Sequence, residues 1–361
     1  MIPGSTETRS REGRRWDDPP DSEPVGTHLE NQTDQTTMIL IQKRQIMPLN
    51  YRKEVLKIAF TPRDDKIVAM GPNHFEEWNV LYYFDASTFQ EILTQRLLKA
   101  EKDFAFAPLP DDAIATPFLR LAEHHEAKYY RVRKPRLEIF DFQRKDFRLK
   151  SDVWVQAPIA FSPNGLLLAA VSSRDTSRIV IMKSDTESVL TGVIRVIPSH
   201  MDEVTHLAFT PDGTGIVSLS KDGSCRLTSV SSGRTLRKFE VETRHNPQML
   251  QVSPDGQLIA SIWGRVVMLW YPNREVITTY NLNDVRQNEG WPLCISPNCK
   301  YLACRTEQGL DVSDLVTGRF EGEFVMDRSF ATAAGFSSDS NRLVVGKENG
   351  EICLYELIIL S

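Results

Sequence analysis

Apolar and polar positions alternate in short bursts along most of the chain, and the stretch Ser199–Gly233 shows the unit most clearly. Val204, Leu207 and Phe209 make one apolar run, Pro211-Asp212-Gly213 a turn, and Ile216, Val217 and Leu219 the next run. Asp222-Gly223 then turns into Cys225 and Leu227, and Ser231-Ser232-Gly233 turns the chain again. Short β-prone runs punctuated by Gly, Pro and Asp predict antiparallel strands joined by hairpins. One such sheet has two bare edges and is not stable alone in water. Recurrence at a fixed period would let several sheets stack around an axis and bury one another's faces.

The unit does recur. Its first strand ends at Phe60-Thr61-Pro62, Phe106-Ala107-Pro108, Phe161-Ser162-Pro163, Phe209-Thr210-Pro211, Val252-Ser253-Pro254, Ile295-Ser296-Pro297 and Phe336-Ser337-Ser338, with steps of 46, 55, 48, 43, 43 and 41 residues. The proline has no N–H for a ladder, so it reads as the strand's stop. A third strand ends in a recurring pair, Phe84-Asp85, Phe140-Asp141, Met182-Lys183, Thr228-Ser229, Trp270-Tyr271, Ser313-Asp314 and Tyr355-Glu356. In most of these pairs an apolar or aromatic residue comes first, which predicts a side chain buried between sheets followed by one at a turn.

The unit around Ser199 resembles the WD-repeat family. Ser199-His200 stands at that family's Gly-His, Phe209-Thr210-Pro211-Asp212-Gly213 at its Phe-Ser-Pro-Asp-Gly, and Ser218 to Gly223 at the segment with its turn aspartate. The resemblance implies an all-β fold, a seven-bladed β-propeller of four-stranded antiparallel sheets. It also implies a hydrogen-bonded cluster of His200, Ser218 or Ser220, and Asp222, with Thr228 standing where the family has Trp. The last unit offers only three strands, and an orphan strand, Thr37 to Ile41, precedes the first unit. We therefore expect an N-terminal strand over residues 37–43 to pair with Glu351–Leu357 and close the ring.

Residues 1–35 are expected to be a disordered tail and 36–361 the propeller, with an insertion near 113–136. The tail has four prolines and few large apolar side chains to offset the entropy of ordering. Its cluster Arg9, Arg11, Arg14 and Arg15 is balanced by Asp17, Asp18 and Asp21, which reads as a solvated charge run. The insertion carries Lys128-Tyr129-Tyr130-Arg131-Val132-Arg133-Lys134, two aromatics among basic side chains, which is a candidate contact for a partner or for nucleic acid. The plainer alternative is a long hairpin with Tyr130, Val132 and Leu137 inward.

A net charge of −5 gives no general attraction to nucleic acid or to an acidic membrane surface. Five cysteines without a CxxC pair suit reduced thiols, and no apolar run reaches the length of a membrane helix, so the cytoplasm or nucleus is expected. Neither Glu123-His124-His125-Glu126 nor the evenly spaced Cys294, Cys299 and Cys304 has metal-ligand spacing. No nucleophile elbow, phosphate loop or kinase set occurs, and neither a cofactor nor catalysis is expected. The function expected from the resemblance is a non-catalytic scaffold binding protein or peptide partners, as a subunit or adaptor. Tyr129, Tyr130, Arg131, Arg133, Lys134, His200, Met201 and Asp222 are the candidate contacts. The alternatives are a propeller hydrolase with a metal ion in its central channel, and nucleic-acid contact through 128–136.

Overall fold

A computed structural model of the chain describes residues 38–48, 54–72, 78–98, 105–106, 114–118, 136–141, 146–147, 154–184, 190–241, 243, 245–274, 276–282, 291–307, 309–316, 320–325 and 330–360. The expected tail at 1–35 lies outside these, as do Tyr129, Tyr130, Arg131, Arg133 and Lys134 and the Glu123 to Glu126 cluster. Side-chain positions are described for most of the remainder, the strands of the second repeat and the N-terminal strand excepted.

The described elements are strands, grouped into four-stranded antiparallel sheets. Ahead of the repeats runs β1 (Met38–Pro48). One sheet holds β2 (Lys57–Phe60), β3 (Lys66–Pro72), β4 (Trp78–Asp85) and β5 (Glu91–Leu98), and the next β6 (Ala105–Phe106), β7 (Ile114–Phe118), β8 (Arg136–Asp141) and β9 (Asp146–Phe147). There follow β10 (Val155–Phe161), β11 (Leu167–Ser172), β12 (Arg178–Ser184) and β13 (Leu190–Pro198), then β14 (Val204–Phe209), β15 (Gly215–Ser220), β16 (Ser224–Ser229) and β17 (Thr235–Glu240). Next come β18 (Pro247–Val252), β19 (Ile259–Trp263), β20 (Val266–Tyr271) and β21 (Val276–Asn281), then β22 (Trp291–Ile295), β23 (Tyr301–Arg305), β24 (Gly309–Asp314) and β25 (Phe320–Val325). The last repeat supplies β26 (Ala331–Phe336), β27 (Arg342–Lys347) and β28 (Glu351–Leu360), and the fourth strand beside β28 is β1.

Sequence explains the gradient of burial within a sheet. Second strands such as Ile259-Ala260-Ser261-Ile262-Trp263 are covered on both faces and read as near-continuous apolar runs, whereas the outermost β17 and β21 are largely exposed. The core lies between sheets. Val217, Leu219 and Cys225 pack against Val252, Ile259, Trp263 and Trp270 of the following sheet, and Ala333, Val344 and Ile352 pack against Val55, Ile58 and Ile67, so the last repeat packs on the first. The first member of each third-strand pair is buried where its side chain is described: Phe84, Met182, Thr228, Trp270, Ser313 and Tyr355. Gly335 and Gly346 permit the last-to-first contact. A Cβ at 335 would come 2.8 Å from the Ile58 carbonyl oxygen, and one at 346 would overlap Val55.

In the last five repeats a hydroxyl at the end of the first strand holds the first turn. Ser162, Thr210, Ser253, Ser296 and Ser337 each donate to the Asp or Asn two residues on, and each accepts the backbone N–H five residues on, at 2.8–2.9 Å. These bonds satisfy a buried hydroxyl and the first amide of the returning strand together. The third residue after the hydroxyl has positive φ in every case: Gly165, Gly213, Gly256, Cys299 and Ser340, and likewise Asp64 after Thr61.

Consecutive turns touch, and the contact changes character where the last repeat meets the first. A Cβ at Gly213 or Gly256 would lie 3.7 or 3.4 Å from Cδ of Pro163 or Pro211, the proline of the preceding turn. In the last-to-first contact Ser338 stands at the proline position and Asp64 at the glycine position. The Ser338 N–H donates to the Asp64 carboxylate at 2.9 and 3.0 Å, its hydroxyl donates at 2.7 Å, and the Arg342 guanidinium lies 3.5 Å away. Proline has no N–H to give, so the departure from Pro at 338 answers the carboxylate. Ser338→Pro should destabilise the chain by about 2 kcal/mol in urea denaturation, since a half-buried charge loses its donors. Adding Asp64→Gly should recover much of that loss; strictly additive losses would show that the two positions are not coupled.

Candidate functional site

His200 sits in the loop that feeds β14, and Asp222 in the tight turn from β15 to β16; antiparallel pairing brings both to the same end of the sheet. The His200 Nδ1–H faces the Asp222 carboxylate at 3.1 and 3.2 Å, and Nε2 accepts from the Ser218 hydroxyl at 2.8 Å. Asp222 also accepts the Met201 N–H at 2.9 Å and the Ser224 N–H and hydroxyl at 2.9 and 2.6 Å. Of the two serines open in the sequence, Ser218 is thus the histidine's partner. Ser220 instead donates to the Asp202 carbonyl and accepts the Asp222 N–H, both at 3.0 Å.

This cluster is turned inward. The His200 and Ser218 side chains are buried, and Asp222 is nearly so. Burial drives the His200 imidazole down to about 4 against the pull of Asp222, so the ring is neutral at physiological pH. Burial by itself would raise the Asp222 carboxyl, but the Met201 N–H, the Ser224 hydroxyl and His200 outweigh it and hold the group at about 2. Thr228, where the family's Trp would stand, is buried with its hydroxyl unpartnered among the described residues. The Trp270 ring of the next sheet instead meets Phe239 edge-on, with centroids 4.3 Å apart.

Met201 is the opposite case, 87% exposed beside a buried histidine. Its backbone is pinned by Asp222 while its side chain stands free. Residues near the starts of other first strands are also exposed: Leu56, Trp291 (54% exposed) and Phe330. The β11–β12 hairpin puts the Arg174 guanidinium 4.9 Å from the Trp154 ring centroid, and the β19–β20 hairpin puts Arg265 5.5 Å from that of Trp291. Sequence reading missed these pairs, because residues about 20 or more apart meet only once hairpins and strand starts share one end of the sheets.

Among the described residues no group of three or more His, Cys, Asp or Glu is placed to hold a metal ion. Cys225, Cys299, Cys304 and Cys353 are buried free thiols and Cys294 is partly so; burial pushes Cys299 up to about 12 and Cys225 and Cys294 higher still, which keeps them unreactive. No helix among the described residues is long and apolar enough to cross a membrane.

Comparison with known proteins agrees with this architecture. The family model for the WD40 domain of anaphase-promoting complex subunit 4 matches residues 159–263, which span β11 to β19. Periodic tryptophan protein 2 of Saccharomyces cerevisiae (strain ATCC 204508 / S288c) is 24% identical over 206 residues. The chain is thus similar to WD-repeat proteins over its middle. The match takes in 55% of this chain but only 18% of the yeast protein's length. The buried His200, Ser218 and Asp222 tie the loop before β14 to β15 and to the turn between β15 and β16.

Proposed function

We propose that this protein is a non-catalytic scaffold for protein or peptide partners, acting as a subunit or adaptor of a larger complex. One observation carries the reading. Ser218, His200 and Asp222 have the hydrogen-bond order of a hydrolase triad, yet the Ser218 hydroxyl is enclosed and His200 titrates too low to serve as a base near neutrality. Its most reactive-looking constellation therefore stiffens a sheet. The matched family model, named for a subunit of a multiprotein complex, supports the same direction. Of the candidate contacts among the described residues, Met201 is the one exposed enough to touch a partner directly, its N–H held by Asp222. Tyr129, Tyr130, Arg131, Arg133 and Lys134 belong to the proposal on their sequence pattern.

The ring is read here as seven-bladed and closed by β1. The antiparallel register from Met38↔Leu360 to Pro48↔Glu351 supports that reading, as does the core shared between the last repeat and the first. The pairing reaches further on both strands than the expected 37–43 against 351–357. Residues 1–35 would be a separate tail, and the compartment the cytoplasm or nucleus. Affinity capture of the tagged chain with mass spectrometry should recover a reproducible set of proteins, and elemental analysis should find no stoichiometric metal. A bound divalent ion together with ester hydrolysis would establish the hydrolase instead.

A further inference from the structure

We propose that the outer strand β13 is the interface through which two copies of this chain associate, Val193, Ile194 and Val196 of one copy packing on the same three residues of the other across a two-fold axis. β13 ends the order of its sheet, so one of its backbone edges has no strand of that sheet beside it. Its side chains depart from what an edge in water calls for. Val193, Ile194 and Val196 are exposed, and Arg195 is the single charged residue of Leu190–Pro198. That arginine is turned onto the following sheet. Its guanidinium donates to the Ser231 and Ser232 carbonyls at 2.6 and 3.3 Å, and a Cβ on Gly233 would come 3.1 Å from its Cδ. In the pairing with β12, Val180 lies opposite Val196 and Met182 opposite Val193, while Ile194 is the extra residue of a bulge. Val193 and Val196 thus share one face of the sheet, and Arg195, opposite the core residue Ile181, takes the other.

Charge sets this edge apart from the other outer strands. β5 carries Glu91 and Arg96, β9 Asp146, β17 Arg237, Lys238 and Glu240, β25 Glu321 and Glu323, and β1 Lys43 and Arg44. Charged edges turn a second strand away. β21 is uncharged, yet its exposed aliphatic residues stop at Val276 and Ile277, and two threonines follow. An uncharged aliphatic edge selects an uncharged aliphatic occupant, and the order Val-Ile-Arg-Val supplies one from a second copy. Laid antiparallel on itself, it puts Val193 opposite Val196 and Ile194 opposite Arg195, so valine meets valine on one face and the two arginines do not oppose each other. The bulge at Ile194 interrupts any long ladder, and a two-fold contact consumes both edges, so assembly stops at two copies.

One strand edge is a small interface, so the test is sedimentation equilibrium of the full chain from about 1 to 100 μM. The native chain should fit a monomer–dimer equilibrium. Ile194→Lys and Val196→Lys should each weaken the dimer at least about tenfold, because each sets a charge against its two-fold mate. Leu236→Lys, an equally exposed aliphatic position on β17, should leave the dimer unchanged. Melting of every variant at a concentration where monomer prevails reports its folding, and Ile194→Lys and Val196→Lys should melt with the native chain. A chain monomeric throughout the range would overturn the proposal, as would a dimer that survives both β13 substitutions or oligomers that grow beyond two. A monomer that nevertheless binds a synthetic peptide of the sequence 190–198 would overturn it in favour of an extended segment from another protein. None of these outcomes bears on the scaffold reading, which protein capture tests separately.

Discussion

A chain lacking residues 1–44 should aggregate or melt well below the intact protein, whereas one lacking 1–34 should melt where the intact protein does. The two truncations differ by ten residues yet fall on opposite sides of the start of β1. That strand runs antiparallel to β28 from Met38↔Leu360 to Pro48↔Glu351, its register slipping once between Lys43 and Gln45. Removing residues through 44 takes away the part paired with Tyr355 to Leu360, leaving the sequence Tyr-Glu-Leu-Ile-Ile-Leu with unpaired N–H and C=O groups along one side. Such an edge, apolar and nearly uncharged, is a template for pairing between chains. Loss of β1 would also loosen the last repeat, whose core is shared with Val55, Ile58 and Ile67 of the first. Differential scanning calorimetry with light scattering distinguishes the outcomes; identical melting of both truncations would defeat closure by β1.

Strands were legible in the sequence because their bounds are set by local chemistry. The apolar run Leu258 to Ile262 and the Pro254-Asp255-Gly256 turn before it need no distant partner to be recognised, and β19 follows. What local pattern could not give was the reason for departures from pattern. Cys299 and Ser340 occupy positive-φ positions that other turns give to glycine, and neither residue type by itself signals that conformation. Ser338 stands where most other repeats have proline, and its reason is Asp64, 274 residues away in sequence, which accepts its N–H. The same limit applies to the candidate site. His200, Ser218 and Asp222 followed from resemblance to a family, but whether they faced solvent or the interior depended on packing. Arg174 over Trp154 and Arg265 over Trp291 follow no repeat at all, since each pair joins a hairpin to a strand start of different sequence.

Acid should weaken the fold in two separable steps, the first governed by His200. The unfolded chain takes up a proton at this imidazole as pH falls through about 6.5, while the folded chain refuses it until about 4. Between those values the unfolded state binds more protons, so the stability fully present above about 6.5 declines as pH falls toward 4 and changes no further below it. The difference amounts to about 3 kcal/mol. Asp222 acts lower down: its carboxyl is held at about 2 against an ordinary 3.8, so its contribution is present above 3.8 and lost between 3.8 and 2. Urea denaturation from pH 8 to 4 on the native chain and on His200→Gln isolates the first step from the other histidines. His200→Gln should be less stable at pH 7, because an enclosed Asp222 loses the imidazole facing it, and its curve should lack the native chain's decline between 6.5 and 4. Parallel curves over that interval would mean that His200 takes up its proton in the fold as readily as in water, and the enclosed neutral imidazole would have to be abandoned.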